Sequence, residues 1–208
     1  MSEKKKDKSK EEAILAAAKQ EFVEKGFVAA KTTKIAAMAG VTHAMLHYYF
    51  RTKENLFDTI FDKEMKLLKD AMFASFDNPD MTFLEKVQKS IEDHFDFVKA
   101  YPRMPRFVMN ELIVHPERLK HFQRKINSLA SSVLKRMGEE IDREVAKGTI
   151  NPIHPVTLLV DISSLNLFVF TMLPLIKNFA VKPYGSEEAF LEARKKENVE
   201  IILRRLTK

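Results

Sequence analysis

The chain has 208 residues, 45% hydrophobic and 31% charged, with 5 glycines, no cysteine and a formal net charge of +6. This length and apolar content support one sizeable domain or a small domain joined to a larger one, and so little glycine argues against a sandwich or barrel, whose tight turns need more of it. Without cysteine there is no disulfide, thiolate zinc site or cysteine nucleophile, a composition compatible with a reducing cytoplasm.

Met1 to Lys10 is lysine-rich and lacks an apolar run, so it is expected to be a basic, disordered arm and not a secretory signal. A first helix follows, with Ile14, Leu15, Ala18 and Phe22 at helical spacing and Gly26 as its stop. Thr33 to Ala39 forms a short second helix, broken by Gly40. Thr42 caps a third, in which Leu46, Tyr49 and Phe50 share one face. Thr52 caps the fourth, with Glu54 in its first turn and a stripe of Leu56, Phe57, Ile60, Phe61, Met65, Leu68 and Met72.

Phe83, Leu84, Val87, Ile91, Phe95 and Val98 mark a fifth helix, and a short sixth covers Arg106 to Val114. The seventh and longest steps from Leu119 to Val145 by threes and fours. The eighth, Pro155 to Phe179, is apolar nearly all round. Asp161, Asn166 and Lys177 interrupt it, so a buried helix and no membrane span is expected. A last helix carries Val199, Ile202, Leu203 and Leu206 on one face. The chain is thus predicted to be all-α, with about nine helices.

Positive charge gathers at the front. Residues 1–55 hold 11 lysines and arginines against 7 acids, or +4, which leaves +2 for the rest. A basic head and near-neutral body suit a phosphate-facing partner, although a solvated tail explains the same numbers. Two short helices joined by a glycine turn, the second capped and polar on its outer face, describe a helix-turn-helix that reads double-stranded DNA. Packing of Ile35, Ala36, Val41 and Leu46 inward leaves His43, Ala44, His47 and Tyr48 outward, within reach of a major groove.

The string Gly26-Phe27, Ile35-Ala36, Ala39-Gly40-Val41-Thr42, Leu46, Tyr49-Phe50, Lys53-Glu54 and Leu56-Phe57 resembles the TetR family of one-component transcription regulators. The resemblance implies a helix-turn-helix head over residues 11–51 and a ligand-binding and dimerising body over 52–208. It also implies that Thr32, Thr33 and Lys34 touch phosphates, that Thr42, His43, Ala44, Met45, His47 and Tyr48 enter the major groove, and that Lys53 clamps a phosphate. Three departures bear on the operator sequence: Lys31 stands at a usual cap position, so that Thr32 is the alternative cap. Ala44 replaces a frequent glycine, and His47 a frequent phosphate-binding tyrosine.

Aromatic and methionine residues of the body suit a small apolar or aromatic effector, with Phe95, Phe107, Met109, Phe122 and Phe168 as its candidate lining. Each of them also suits an ordinary core. Because one head reads few base pairs, a homodimer on a palindromic operator is expected. The apolar surplus of the last two helices, Leu158, Ile162, Leu165, Val169, Ile202 and Leu206, is its candidate interface. The resulting function is a ligand-relieved repressor of the cytoplasm. The alternative is a helical interaction protein of the same fold without DNA binding or ligand response. No nucleophile elbow, P-loop, dinucleotide fingerprint or HExxH occurs, so neither an enzyme nor a cofactor is expected. His43 and His47 have a metal-ligand spacing, yet a groove-facing role accounts for both.

Overall fold

The computed structural model describes residues 2–103, 105 and 116–207. Among them are eight α-helices, two short 3-10 turns and no strand, as the all-α prediction requires. The helix predicted at 106–114 lies outside the described residues. Two compact units result, Met1–Leu67 and Leu68–Lys208.

The first unit holds α1 (Ser2–Ala29), α2 (Thr32–Met38), α3 (His43–Phe50) and most of α4 (Lys53–Phe73). The lysine-rich start, expected to be disordered, is helical from Ser2, in keeping with the good helix propensity of its many lysines and glutamates. Gly26 interrupts α1 at φ 74, a left-handed backbone that glycine adopts without penalty, and so turns Phe27 back into the core. There Phe22, Phe27 and Phe57 form an aromatic triad with centroids 5.3–5.7 Å apart. Ile14, Ala18, Ile35, Ala36, Leu46, Phe50 and Leu56 complete this core. The first turns of α4 thereby belong to the head, and the compact unit extends past residue 51 to Leu67.

In the second unit α5 (Phe83–Ala100) is central. Thr82 and Glu85 close its N-terminus with a reciprocal capping box. Phe83, Val87, Ile91, Phe95 and Val98 line its buried face against α6 (Pro116–Ala146), α7 (Pro155–Ala180) and α8 (Glu187–Leu206). Val133, Met137 and Ile141 come from α6, Leu158 and Ile162 from α7, and Ile202 and Leu206 from α8. Lys86 Nζ meets Glu140 Oε1 at 2.6 Å, so the lysine enters the α5–α6 contact as a paired charge.

One polar network crosses this core. Asn166 Nδ2 donates to Ile91 O at 2.9 Å and lies 3.2 Å from His94 Nδ1. Asn198 Nδ2 donates to Asn166 Oδ1 at 2.9 Å, and Arg194 donates to Asn198 Oδ1 at 2.8 Å. Because the Asn166 amide is the donor, His94 Nδ1 accepts, and the imidazole is held neutral. Burial pushes it down to about 4. The pH dependence follows in sign. An unfolded imidazole takes up a proton as pH falls through about 6.5, whereas the folded one resists until about 4. Stability is therefore full above pH 6.5 and falls by up to about 1.4 kcal/mol per pH unit below it. The melting temperature should drop between pH 7 and pH 5, and most of the drop should vanish in His94→Gln. An identical drop in the variant would assign the effect elsewhere.

By length and composition α7 alone among the described helices is apolar enough to cross a membrane. In the fold Leu158, Ile162, Asn166, Val169, Phe170 and Leu173 are buried, while Val156, Val160, Phe168, Leu175 and Phe179 are exposed. The all-round apolar character predicted for it is thus split between a core face and an uncovered one.

Candidate nucleic-acid interface

The turn between α2 and α3 is a Schellman closure. Gly40 N–H donates to Ala37 O at 3.2 Å and Val41 N–H to Ala36 O at 3.0 Å. Gly40 sits at φ 66, with nothing within 4 Å of where a Cβ would be, so backbone conformation and not space demands glycine there. Thr42 then caps α3, its Oγ1 accepting from Met45 N–H at 3.2 Å. Leu46 and Phe50 anchor the helix in the core.

What α3 turns outward is the set expected from the sequence: Thr42, His43, Ala44, His47 and Tyr48 are all exposed. Met45 is half-buried and shared between surface and core. On α2, Thr33 and Lys34 are exposed and Thr32 half-buried. Neither Lys31 nor Thr32 caps α2 by its side chain. Thr32 is its first residue, and its hydroxyl lies 2.9 Å from His43 Nε2, joining the two helices of the motif.

Two of the expected phosphate ligands carry structural work. Lys34 Nζ lies 2.6 Å from the buried Glu21 carboxylate of α1. The Lys34 ammonium holds the Glu21 carboxyl below its usual range despite burial, and Glu21 raises Lys34 in turn. Lys53 Nζ donates to Val28 O at 3.2 Å and Ala30 O at 3.1 Å and sits 4.6 Å from the Phe27 ring centre. It tethers the start of α4 to the end of α1, with one N–H left to offer.

Glu21 and Arg51 were not singled out from the sequence, and Tyr49, placed there on one face with Leu46 and Phe50, is half-buried. Glu21 falls on the apolar stripe of α1 between Ala18 and Phe22, and a charge at a core position was the available signal. Tyr49 donates to the Asp7 carboxylate, and that bond pushes its phenol up to about 12. Arg51 ends α3 at φ 61 and ψ −55, for which the sequence holds no sign. The His43 and His47 rings meet edge to face at 4.4 Å, and no group of three or more metal-binding side chains occurs among the described residues.

The described candidate effector and interface residues lie in different surroundings. Phe95 is buried against Phe170 with centroids 5.0 Å apart. Phe168 points outward and lines an open groove of about 710 Å³ with Met172, Ile176, Phe190 and Arg194. Phe95 is not among the residues that line it. Phe107 and Met109, and the side chain of Phe122, lie outside the described residues. Leu158, Ile162, Val169, Ile202 and Leu206 are all buried within the unit's own core, and Leu165 is half-buried. Side chains already sealed inside one chain have no surface to give a second. The apolar stripe thus identifies mainly the inward face of α7 and α8.

Residues 14–60 match the bacterial regulatory proteins of the tetR family, and residues 84–202 match the tetracyclin repressor-like C-terminal domain. The chain is 25% identical over 142 residues to YhgD of Bacillus subtilis (strain 168), an HTH-type transcriptional regulator, covering 68% of this chain and 72% of that one. It is 37% identical over 70 residues to BepR of Brucella suis biovar 1 (strain 1330), an HTH-type transcriptional repressor, a match spanning 33% of this chain and 34% of that one. In fold it is similar to a TetR family transcription regulator from Marinobacter aquaeolei VT8, with a TM-score of 0.70, 22% identity and 99% of each chain covered.

Proposed function

The chain belongs to the TetR family of helix-turn-helix transcription regulators, and on that premise we propose that it is a ligand-relieved repressor acting as a homodimer on a palindromic operator in the cytoplasm. The observation that carries the DNA reading is the exposed, polar and aromatic face of α3 held on an apolar anchor. In this reading Thr42, His43, Ala44, His47 and Tyr48 meet base edges and phosphates, with Met45 at the margin. Thr32, Thr33 and Lys34 meet the flanking backbone. Lys53 serves first as a tether and second, through its remaining N–H, as a phosphate donor.

The second unit is assigned the effector and the dimer. Its aromatic content favours an apolar or aromatic effector, and the exposed stripe of α7 favours a second copy as its cover. α4 has residues in both units and is the proposed carrier of the signal. Coupling of about 1–3 kcal/mol would lower operator affinity roughly 5- to 150-fold when effector binds, and operator would weaken effector binding equally.

Anisotropy titrations against a duplex selected from a random pool test the DNA reading. Affinity should fall with salt at a log–log slope of about −0.9 per phosphate neutralised. Tyr48→Ala should change the preferred sequence, at about 1–3 kcal/mol for the base it contacts. Binding indifferent to both salt and Tyr48 would remove α3 from the groove and leave a helical interaction protein.

A further inference from the structure

The two imidazoles on the outer face of α3 are bonded differently. His43 Nε2 faces the Thr32 hydroxyl, which donates or accepts and so suits either protonation state of the ring. His47 Nδ1 lies 2.9 Å from the carbonyl oxygen of Arg51, which only accepts, so Nδ1 carries the hydrogen. The tie is reciprocal, because Arg51 N–H donates to His47 O at 2.9 Å. The end of α3 thus sets both the tautomer and the direction of the His47 ring. Nε2 is the ring nitrogen left for an outside partner.

A neutral Nε2 presents a lone pair, which a phosphate oxygen repels. A protonated Nε2 presents a charged N–H, which a phosphate accepts strongly. The surroundings decide where the stabilising anion must come from. On α3 the titratable neighbours are His43 and Tyr48, while Tyr49 is engaged by Asp7. From α2 and the residue before it come Lys34, held by Glu21 of α1, and Lys31. Arg51 follows the helix, and α4 opens with Lys53, held by backbone carbonyls, and Glu54. Among the described residues no carboxylate forms an ion pair with either imidazole, and four of these neighbours, Lys31, Lys34, Arg51 and Lys53, are cationic. Among the described residues none supplies His47 with a paired anion. DNA does.

We infer that His47 is a proton-linked DNA contact: its Nε2 captures an operator phosphate only when protonated, so operator binding takes up a proton at this position and tightens as pH falls. The inference rests on the DNA-binding reading above and adds to it a residue that makes affinity depend on pH.

The test uses the full chain and one selected operator duplex, at fixed ionic strength, from about pH 6 to about pH 8, where imidazoles change charge. Wild type, His47→Gln and His43→Gln are compared, with a thermal melt at each pH. Wild-type affinity should fall as pH rises, by up to about tenfold per pH unit for each proton taken up. His47→Gln, which keeps a hydrogen-bonding side chain but cannot be protonated, should show a flat profile, and His43→Gln should keep the slope. The buried His94 is present in every variant, so its effect on stability cancels in the comparison. A flat wild-type profile, or a slope that survives in His47→Gln, overturns the proposal. Failure of all three proteins to bind any duplex at pH 6 overturns the DNA-binding reading itself, and this proposal with it.

Discussion

Phe22→Ala is expected to destabilise the head by about 3–5 kcal/mol, enough to abolish operator binding. The ring is 1% exposed, stacks on Phe27 with centroids 5.7 Å apart and meets Phe57 edge-on at 5.5 Å. Its removal leaves a void that α1, α2 and α4 cannot close, because their other contacts already pack Ile14, Ile35 and Leu56 at 0% exposure. The helix-turn-helix depends on that floor, since α2 has only 7 residues and α3 only 8. Helices so short hold their shape through packing and not through their own propensity. Phe22→Leu, which refills most of the volume, should cost about 1.5 kcal/mol or less. Urea unfolding followed by circular dichroism separates the two variants. Equal, small losses for both would mean that the triad does not hold the head together.

Phe168→Asp is expected to yield a folded monomer that binds operator about 10²–10⁴-fold more weakly, the gain that joining two half-site readers confers. Phe168 is 64% exposed and lies on the same outward stripe of α7 as Val156, Val160, Leu175 and Phe179. An apolar stripe along a whole helix is costly to leave in water, and a carboxylate at its middle would have to be desolvated if a second copy covered it. The contrast is Leu158→Asp. That side chain is 0% exposed, and a charge there should prevent folding instead of assembly. Light scattering and circular dichroism distinguish the two outcomes. A Phe168→Asp protein that remains dimeric with wild-type operator affinity would exclude this stripe as the interface.

Much of the molecule is local, and local features are legible in a sequence. Apolar residues at steps of three and four placed the α5 helix at Phe83 and the α7 helix at Pro155, because a helix shows its buried face in its own spacing. Gly40 and Thr42 marked the turn and the cap, since a left-handed backbone and an orphan N–H each call for few residue types. The outward face of α3 followed by subtraction once Leu46 and Phe50 were assigned inward.

Direction across the fold was not legible. Periodicity reports which residues of α7 are apolar, but this helix is apolar on two faces, so only packing decides that Leu158 and Ile162 turn inward and Val160 and Phe168 outward. Long side chains raise the same difficulty. Lys34 and Lys53 resemble free phosphate ligands until Glu21 and the carbonyls of Val28 and Ala30, 13 to 25 residues away, are found at their tips. The buried network of His94, Asn166 and Asn198 joins residues up to 104 positions apart, and its parts gain meaning only when α5, α7 and α8 meet. The sequence alone determined most of the described helices, the Thr42 cap of α3 and the family, all of which depend on neighbours along the chain. Which face of α7 is buried and which charge is already spent depend on atoms far along the chain, and only the tertiary structure decided them.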